Sequence, residues 1–167
     1  MDSVRQKVFA ALAEMQIAYE VMEHPAVYTI EEMDQLTISH KESIVKNLFV
    51  RDDKKRQYFL IVLQKDKHVD LKKIKAELNS RPLGFASEDD LAKYLGLNKG
   101  SVTPFGVLND STCKVTVVLD EDILSFEQIG VHPNENTATV LLRPQDLEAI
   151  IKKHGNEILH IKIWHER

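Results

Sequence analysis

Ser43-Ile44-Val45-Lys46-Asn47-Leu48-Phe49-Val50, then Arg51-Asp52-Asp53-Lys54-Lys55-Arg56, then Gln57-Tyr58-Phe59-Leu60-Ile61-Val62-Leu63 is the stretch on which the fold turns. The two outer segments are of strand length and rich in β-branched and aromatic residues. Six consecutive charged residues separate them and must stay in water. The pattern predicts a β-hairpin with a solvated loop. Upstream, Ser3 with Gln6 reads as a capping box, and Val4, Val8, Leu12 and Met15 recur at helical spacing. Tyr19 to Met22 is a short strand candidate that stops at His24-Pro25, and Thr29 with Glu32 opens a second, shorter helix.

Downstream, Asp70 caps a helix over Leu71 to Leu78. Ser87 with Asp90 opens another helix that carries Leu91, Tyr94 and Leu95 and ends at Gly96. Gly100 to Gly106 has turn composition with neither a helical nor a strand period. Val115 to Leu119 and Thr137 to Leu142 are strands. Pro144 starts a helix that reaches Lys153 and closes at Gly155, and Ile158 to Trp164 alternates as a half-buried closing strand. No internal repeat or Pro/Ser linker divides the chain, so residues 1–167 are expected to form one domain. Helices and strands mix without strict alternation, which predicts an α/β (α+β mixed) fold with a mixed β-sheet flanked by helices.

Composition narrows the classes. A chain of 167 residues can close a hydrophobic core, and 43% hydrophobic with 29% charged residues excludes a disordered one. Mean hydropathy is -0.27, and no apolar run approaches the roughly 20 residues that cross a bilayer. Met1-Asp2-Ser3-Val4-Arg5-Gln6 lacks the plan of a signal peptide, and the single cysteine, Cys113, makes no internal disulfide. The expected compartment is the cytoplasm. Twenty-two basic against 26 acidic residues leave a net charge of -4, which argues against a globally basic nucleic-acid surface. A local patch is compatible with that sum. Lys65, Lys67, Lys72, Lys73 and Lys75 form either such a patch or a solvated helix face.

Several site types fail on inspection. Neither glycine-rich phosphate loop occurs, and seven histidines never fall in an H-E-x-x-H spacing, so no metal site is indicated. Cys113 beside Lys114 is a packed strand cysteine or, less simply, an activated thiol. Ser101 and Thr103 lack the G-x-S-x-G elbow of a serine hydrolase. Two features stay unexplained. Gly100-Ser101-Val102-Thr103-Pro104-Phe105-Gly106 is a plain connector or a place where backbone approaches a ligand. Lys46, inside an apolar strand, snorkels at a sheet edge or aims a cation into a cleft.

His24-Pro25-Ala26-Val27-Tyr28-Thr29, Val45-Lys46-Asn47-Leu48-Phe49, Phe85-Ala86-Ser87, Gly100 to Gly106, and His132-Pro133-Asn134-Glu135-Asn136-Thr137-Ala138-Thr139-Val140 occur in one order along nearly the whole chain. This set resembles the free-standing prolyl-tRNA editing proteins, the ProX/PrdX branch of the YbaK-like aminoacyl-tRNA deacylases. The resemblance implies hydrolysis of the ester in mischarged Ala-tRNA(Pro), with related branches acting on Cys-tRNA(Pro) and other mispaired species. It implies a mixed sheet packed with helices, and neither a metal nor an organic cofactor. The expected partners are the tRNA(Pro) acceptor end and, as a further candidate, prolyl-tRNA synthetase; no DNA or membrane is expected. The family lysine maps onto Lys46, and its G-x-x-x-P loop maps onto Gly100, Ser101, Val102, Thr103 and Pro104. The resemblance implies that His132, Pro133, Asn136 and Thr137 border the aminoacyl pocket.

Physics supplies the need for such a site. Alanine is smaller than proline, so a pocket shaped for proline cannot reject it sterically, and missing methylenes discriminate by only about 1–3 kcal/mol each. A second site that excludes proline by size restores fidelity. Val27, Ile44, Val102, Pro104 and Phe105 are candidate walls. Loop N–H groups would stabilise the oxyanion. Lys46 would hold the terminal adenosine or its phosphate, or order the attacking water. His132 either moves a proton or shapes a turn. A non-catalytic aminoacyl-tRNA or synthetase-binding module, and the same chemistry on Cys- or Ser-charged tRNA, are the alternatives. Affinity for tRNA is expected from Lys46 with some of Lys65, Lys67, Lys72, Lys73 and Lys99.

Overall fold

The computed structural model describes residues 4–24, 44–133 and 137–163. Ser3, Val27, Asn136, Trp164 and the helix expected from Thr29 lie outside the described residues. The predicted hairpin forms: β2 (Val45–Asp52) pairs antiparallel with β3 (Tyr58–Gln64), in register from Val45↔Gln64 to Arg51↔Tyr58. Six of the seven β3 residues are buried, as a strand apolar on both faces requires. β3 then runs parallel to β5 (Val115–Asp120), and β5 runs parallel to β8 (Ile158–Ile161). A short edge strand, β4 (Leu83–Phe85), completes a five-stranded sheet in the order β4-β2-β3-β5-β8.

The remaining strands form a second sheet, where the sequence suggests only one. β1 (Glu20–Glu23), β7 (Ala138–Leu142) and β6 (Ile129–Val131) pair antiparallel in the order β1-β7-β6. Among the described residues the two sheets meet through one parallel bridge, Ile44↔Gly130. A Cβ at Gly130 would lie 3.0 Å from both Ile44 Cγ1 and Thr139 Cγ2, so a glycine lets the sheets approach here.

The helices follow their caps. α1 (Val4–Glu14) buries Val8 and Leu12. The Asp70 side chain accepts from Lys72 N ahead of α2 (Leu71–Leu78). Ser87 and Asp90 close a reciprocal capping box on α3 (Glu88–Leu95), and Pro144 opens α4 (Pro144–His154). The segment after Gly100 is less plain than its composition suggests, because Pro104–Asn109 coils into a 3-10 helix with Thr103 as its cap. A second 3-10 turn, Glu121–Ser125, follows β5.

The five-stranded sheet separates two apolar layers. Val45, Phe49, Leu60, Val62, Val117 and Leu119 join the main core with residues of the second sheet and of α1, α3 and α4. On the opposite face Val50, Phe59, Ile61, Leu63 and Val118 pack with Ile74 of α2 and with Ile161 and Ile163. Successive strand residues alternate between faces. Lys46 therefore shares the α2 side with Leu48 and Val50, while Asn47 shares the main-core side with Val45 and Phe49. Lys67 is a correction to the expected basic face. Only 8% exposed, its Nζ lies 2.6 Å from Asp120 Oδ2, Asp122 Oδ2 and Ile163 O, so it ties the β3–α2 loop to the chain beyond β8. A cation spent on two carboxylates is withdrawn from phosphate binding. Lys65, also buried, pairs with Asp66.

Candidate active site at the join of the two sheets

Where the sheets meet, four parts of the chain converge: the start of β2, the loop Gly100–Pro104, the end of β6 and the start of β7. Gly100 has φ 91, a left-handed conformation that glycine adopts without a Cβ clash. It turns the loop toward β2, where Asn47 Nδ2 donates to Val102 O at 3.1 Å. The loop is pinned from the other side by Thr103, whose Oγ1 donates to His132 O at 2.6 Å and lies 3.4 Å from Phe105 N. Thr103 is fully buried, so its hydroxyl is a structural pin and not a nucleophile. Ser101 is half-buried, and its N–H is taken by Asn98 O.

The backbone of this loop carries unspent donors. Among the described residues, the N–H groups of Gly100, Val102 and Thr103 meet no acceptor. Gly100 and Val102 are half-buried residues, whereas Thr103 is buried. Next to them, Asn47 Oδ1 is buried without a partner. Buried polar atoms are seldom left unsatisfied, and such an exception calls for an explanation. Polar groups with spare hydrogen-bonding capacity beside Ile44 (3% exposed) and half-buried Val102 make a small site, apolar with a few directed polar contacts.

Histidines back the site. His132 Nδ1 lies 3.1 Å from Ala138 O. A carbonyl only accepts, so Nδ1 carries the proton and Nε2 is left with its lone pair. Burial pushes His132 below the ordinary imidazole value; the Ala138 bond opposes this, and His24 adds to it. His24, 9% exposed, places Nε2 2.9 Å from Thr139 Oγ1, with its ring centroid 6.3 Å from that of His132. His24 N also donates to Thr137 O at 2.9 Å. Its carbonyl and Nδ1 are both committed, which fixes His132 at the end of β6 with the Nε2 lone pair uncommitted.

The structure thus brings together Ile44, Gly100, Ser101, Val102, Thr103, Pro104, His132 and Thr137. Phe105, at 1% exposure, belongs to the main core and supports the loop from beneath. Pro104 is likewise buried, at the first turn of the 3-10 helix. Lys46 leaves β2 on the face opposite Asn47 and does not bond the loop. It is half-buried, and burial pushes its ammonium below the ordinary lysine value, with Asp66 acting in the other direction. Among the described residues no acceptor lies within hydrogen-bond or ion-pair distance of it. Sequence reasoning missed Asn47 and Thr139. The signal for Asn47 was present, as a second polar residue in an apolar strand, one step out of phase with Lys46.

Residues 24–150 match the model of the aminoacyl-tRNA editing domain. The chain is 50% identical over 163 residues to the prolyl-tRNA editing protein ProX of Acetoanaerobium sticklandii, covering 98% of this chain and 99% of that one. It is 30% identical over 134 residues to a proline–tRNA ligase of Levilactobacillus brevis, covering 80% of this chain and 22% of the ligase. The fold matches the crystal structure of a proposed trans-editing enzyme for prolyl-tRNA synthetase with a TM-score of 0.75 at 23% identity, over 100% of this chain and 99% of that one. A family model that spans both sides of the sheet junction, with a relative half identical from end to end, decides the assignment: the chain belongs to the aminoacyl-tRNA editing domain family.

Proposed function

We propose that the protein is an aminoacyl-tRNA deacylase that acts in trans on mischarged tRNA(Pro), with Ala-tRNA(Pro) as its substrate. The observation that carries this reading is the pair of backbone N–H groups at Gly100 and Val102 that meet no acceptor among the described residues, on a loop held at neighbouring positions by Asn47 through Val102 O and by Thr103 through His132 O. Donors held in place before reaction need no reorganisation when charge develops, and one such donor is worth about 3–4 kcal/mol in the transition state. Water attacks the ester carbonyl carbon, and its oxygen becomes an oxyanion held by these donors. The ester C–O bond then breaks, the terminal ribose hydroxyl leaves with a proton, and free alanine is released. The 2′-hydroxyl of the terminal adenosine is the substrate group best placed to order that water.

Ile44 and Val102 wall the acyl site, with Thr137 at its border, and a prolyl ring is excluded by size. Asn47 Oδ1 accepts from the substrate. Lys46 holds the terminal adenosine or its phosphate from the α2 side of β2, since its geometry leaves the water to the loop. Residues 1–167 act as one editing unit in the cytoplasm, where tRNA is charged, and prolyl-tRNA synthetase is the natural neighbour from which product is received. Among the described residues no helix is long and apolar enough to cross a membrane.

The test is single-turnover hydrolysis of tRNA(Pro) charged in turn with alanine, cysteine, serine and proline. Alanine is expected to be released and proline spared by a factor of about 10² or more, the scale at which rejection by size becomes useful. Preference for cysteine or serine would reassign the substrate. Failure to hydrolyse any of the four would leave a binding module.

A further inference from the structure

The tip of the β2–β3 hairpin lies at the end of β2 away from the sheet junction, on the order of 20 Å along the strand from Asn47. Most basic side chains elsewhere are spent. Lys67 and Lys162 bind Asp122, Arg143 binds Asp146, Lys152 binds Glu148, and Lys153 binds Glu14. Lys72, Lys99 and Lys114 are also exposed without a side-chain partner among the described residues, but singly; Lys54, Lys55 and Arg56 differ in being three consecutive exposed cations without a hydrogen-bond or ion-pair partner for their side chains there. Their acidic neighbours are neutralised locally. Asp53 is held by Arg81, with Nε 2.6 Å from Oδ1 and Nη2 3.1 Å from Oδ2, and this pairing holds its carboxyl below the usual range.

Asp52 is buried at 1% exposure and organises the turn from inside. Its Oδ1 accepts from Arg56 N at 2.7 Å and from Gln57 N at 3.4 Å, while its carbonyl accepts from Lys55 N at 3.2 Å. Lys55 is held at φ 56, in the left-handed region that a lysine seldom adopts. A buried carboxylate and a strained residue are costly ways to shape a loop that only has to stay in water. Here they hold a turn that carries three consecutive exposed cations, in a chain whose net charge is -4.

We infer that this hairpin tip is a docking surface for the phosphate backbone of an RNA duplex, the acceptor stem of the tRNA whose unpaired end enters the sheet junction. The inference rests on the editing reading above. Phosphate contacts set register and affinity without reading sequence, which suits a site that must recognise an ester at one end of a long ligand. The separation of tip and junction places the contact on the stem and not on the terminal nucleotides.

The experiment compares the wild type with Lys54→Ala/Lys55→Ala/Arg56→Ala, in which Asp52 is retained and folding is checked by thermal melt. Three readouts are needed: binding of uncharged tRNA as a function of salt, hydrolysis of Ala-tRNA(Pro), and hydrolysis of the alanyl ester of the terminal CCA trinucleotide, too short to reach the tip. Affinity for uncharged tRNA should weaken at least about 10-fold, and the salt slope should fall by about 2, as loss of three phosphate contacts implies. KM for Ala-tRNA(Pro) should rise with kcat unchanged, and the trinucleotide ester should react at the wild-type rate. Wild-type affinity and slope in the triple variant would overturn the inference. So would unchanged RNA binding with lost capture of prolyl-tRNA synthetase, which would assign the tip to a protein surface. If the wild type hydrolyses neither ester, the editing reading fails, while the binding arm still decides the docking surface.

Discussion

Lys46 and Lys67 sit on neighbouring strands or their ends, both withdrawn from water, and they have opposite surroundings. Lys67 makes three short bonds, to Asp120, Asp122 and Ile163 O, and its ammonium is held above the ordinary lysine value by those carboxylates against the cost of burial. Lys46 meets no acceptor among the described residues, and burial lowers it. One lysine is saturated and holds the fold together. The other is left with unspent charge, which a folded protein tolerates where a ligand supplies the counter-charge. In sequence Lys46 stands inside an apolar strand and Lys67 in the charged segment Lys65-Asp66-Lys67-His68, and neither pattern tells which of the two ends with a partner.

The largest effect expected from this contrast is on stability. Lys67→Met leaves Asp120 buried without its cation and should destabilise by about 3–5 kcal/mol, the cost of removing one partner of a buried pair. Deacylation per folded molecule should be unchanged. A chemical denaturation curve paired with single-turnover rates measures both, and a rate loss without a stability loss would erase the distinction. Next comes Lys46→Ala, which should stay folded while kcat/KM for Ala-tRNA(Pro) falls at least about 10²-fold, as for loss of one positioning contact. Lys46→Arg should recover only part of this, because a planar guanidinium does not replace a compact ammonium. Lys46→Met should melt no lower than the wild type, since it removes a desolvated, unpaired charge. Wild-type editing by folded Lys46→Ala would move the function onto the loop alone.

The smallest expected effect is in pH dependence, where the two lysines respond with opposite sign. Asp122, lowered mainly by its bonds to Lys162 and Lys67, contributes stability above the unfolded carboxylate value of about 3.9 and loses it as pH falls through its lower folded value. Lys67 is raised, so its contribution holds below about 10.4 and is lost as pH rises through the folded value. Lys46 is lowered, so the unfolded chain binds more protons between its folded value and about 10.4, and stability rises with pH across that window. The gap in melting temperature between wild type and Lys67→Met should therefore narrow below about pH 3.9. A gap constant down to strong acid would count against the carboxylate network.

Local chemistry made much of the fold readable. The hairpin, the Asp70 and Ser87 caps and the Pro144 start each depend on residues close in sequence, and all four form, although β2 runs on through Arg51 and Asp52, read as part of the solvated loop, and buries Asp52. Less was legible where partners lie far apart. The 3-10 helix Pro104–Asn109 has no apolar period to announce it. The edge strand Leu83–Phe85 and the strand Ile129–Val131 are three residues each, too short for a pattern.

For the site, the sequence by itself determined which residues mattered as a set: the lysine strand, the glycine–proline loop and the His132 stretch stand in an order specific enough to name a family. Tertiary structure decided what each does. The pleat of β2 turned Lys46 away from the loop and gave its place there to Asn47. Packing drew Phe105 into the core, and Asp120 with Asp122 took Lys67 out of solvent. The physical reason is common to all three. Residue identity sets what a side chain can bond, but face, burial and partner depend on contacts between residues tens of positions apart, which no local pattern encodes.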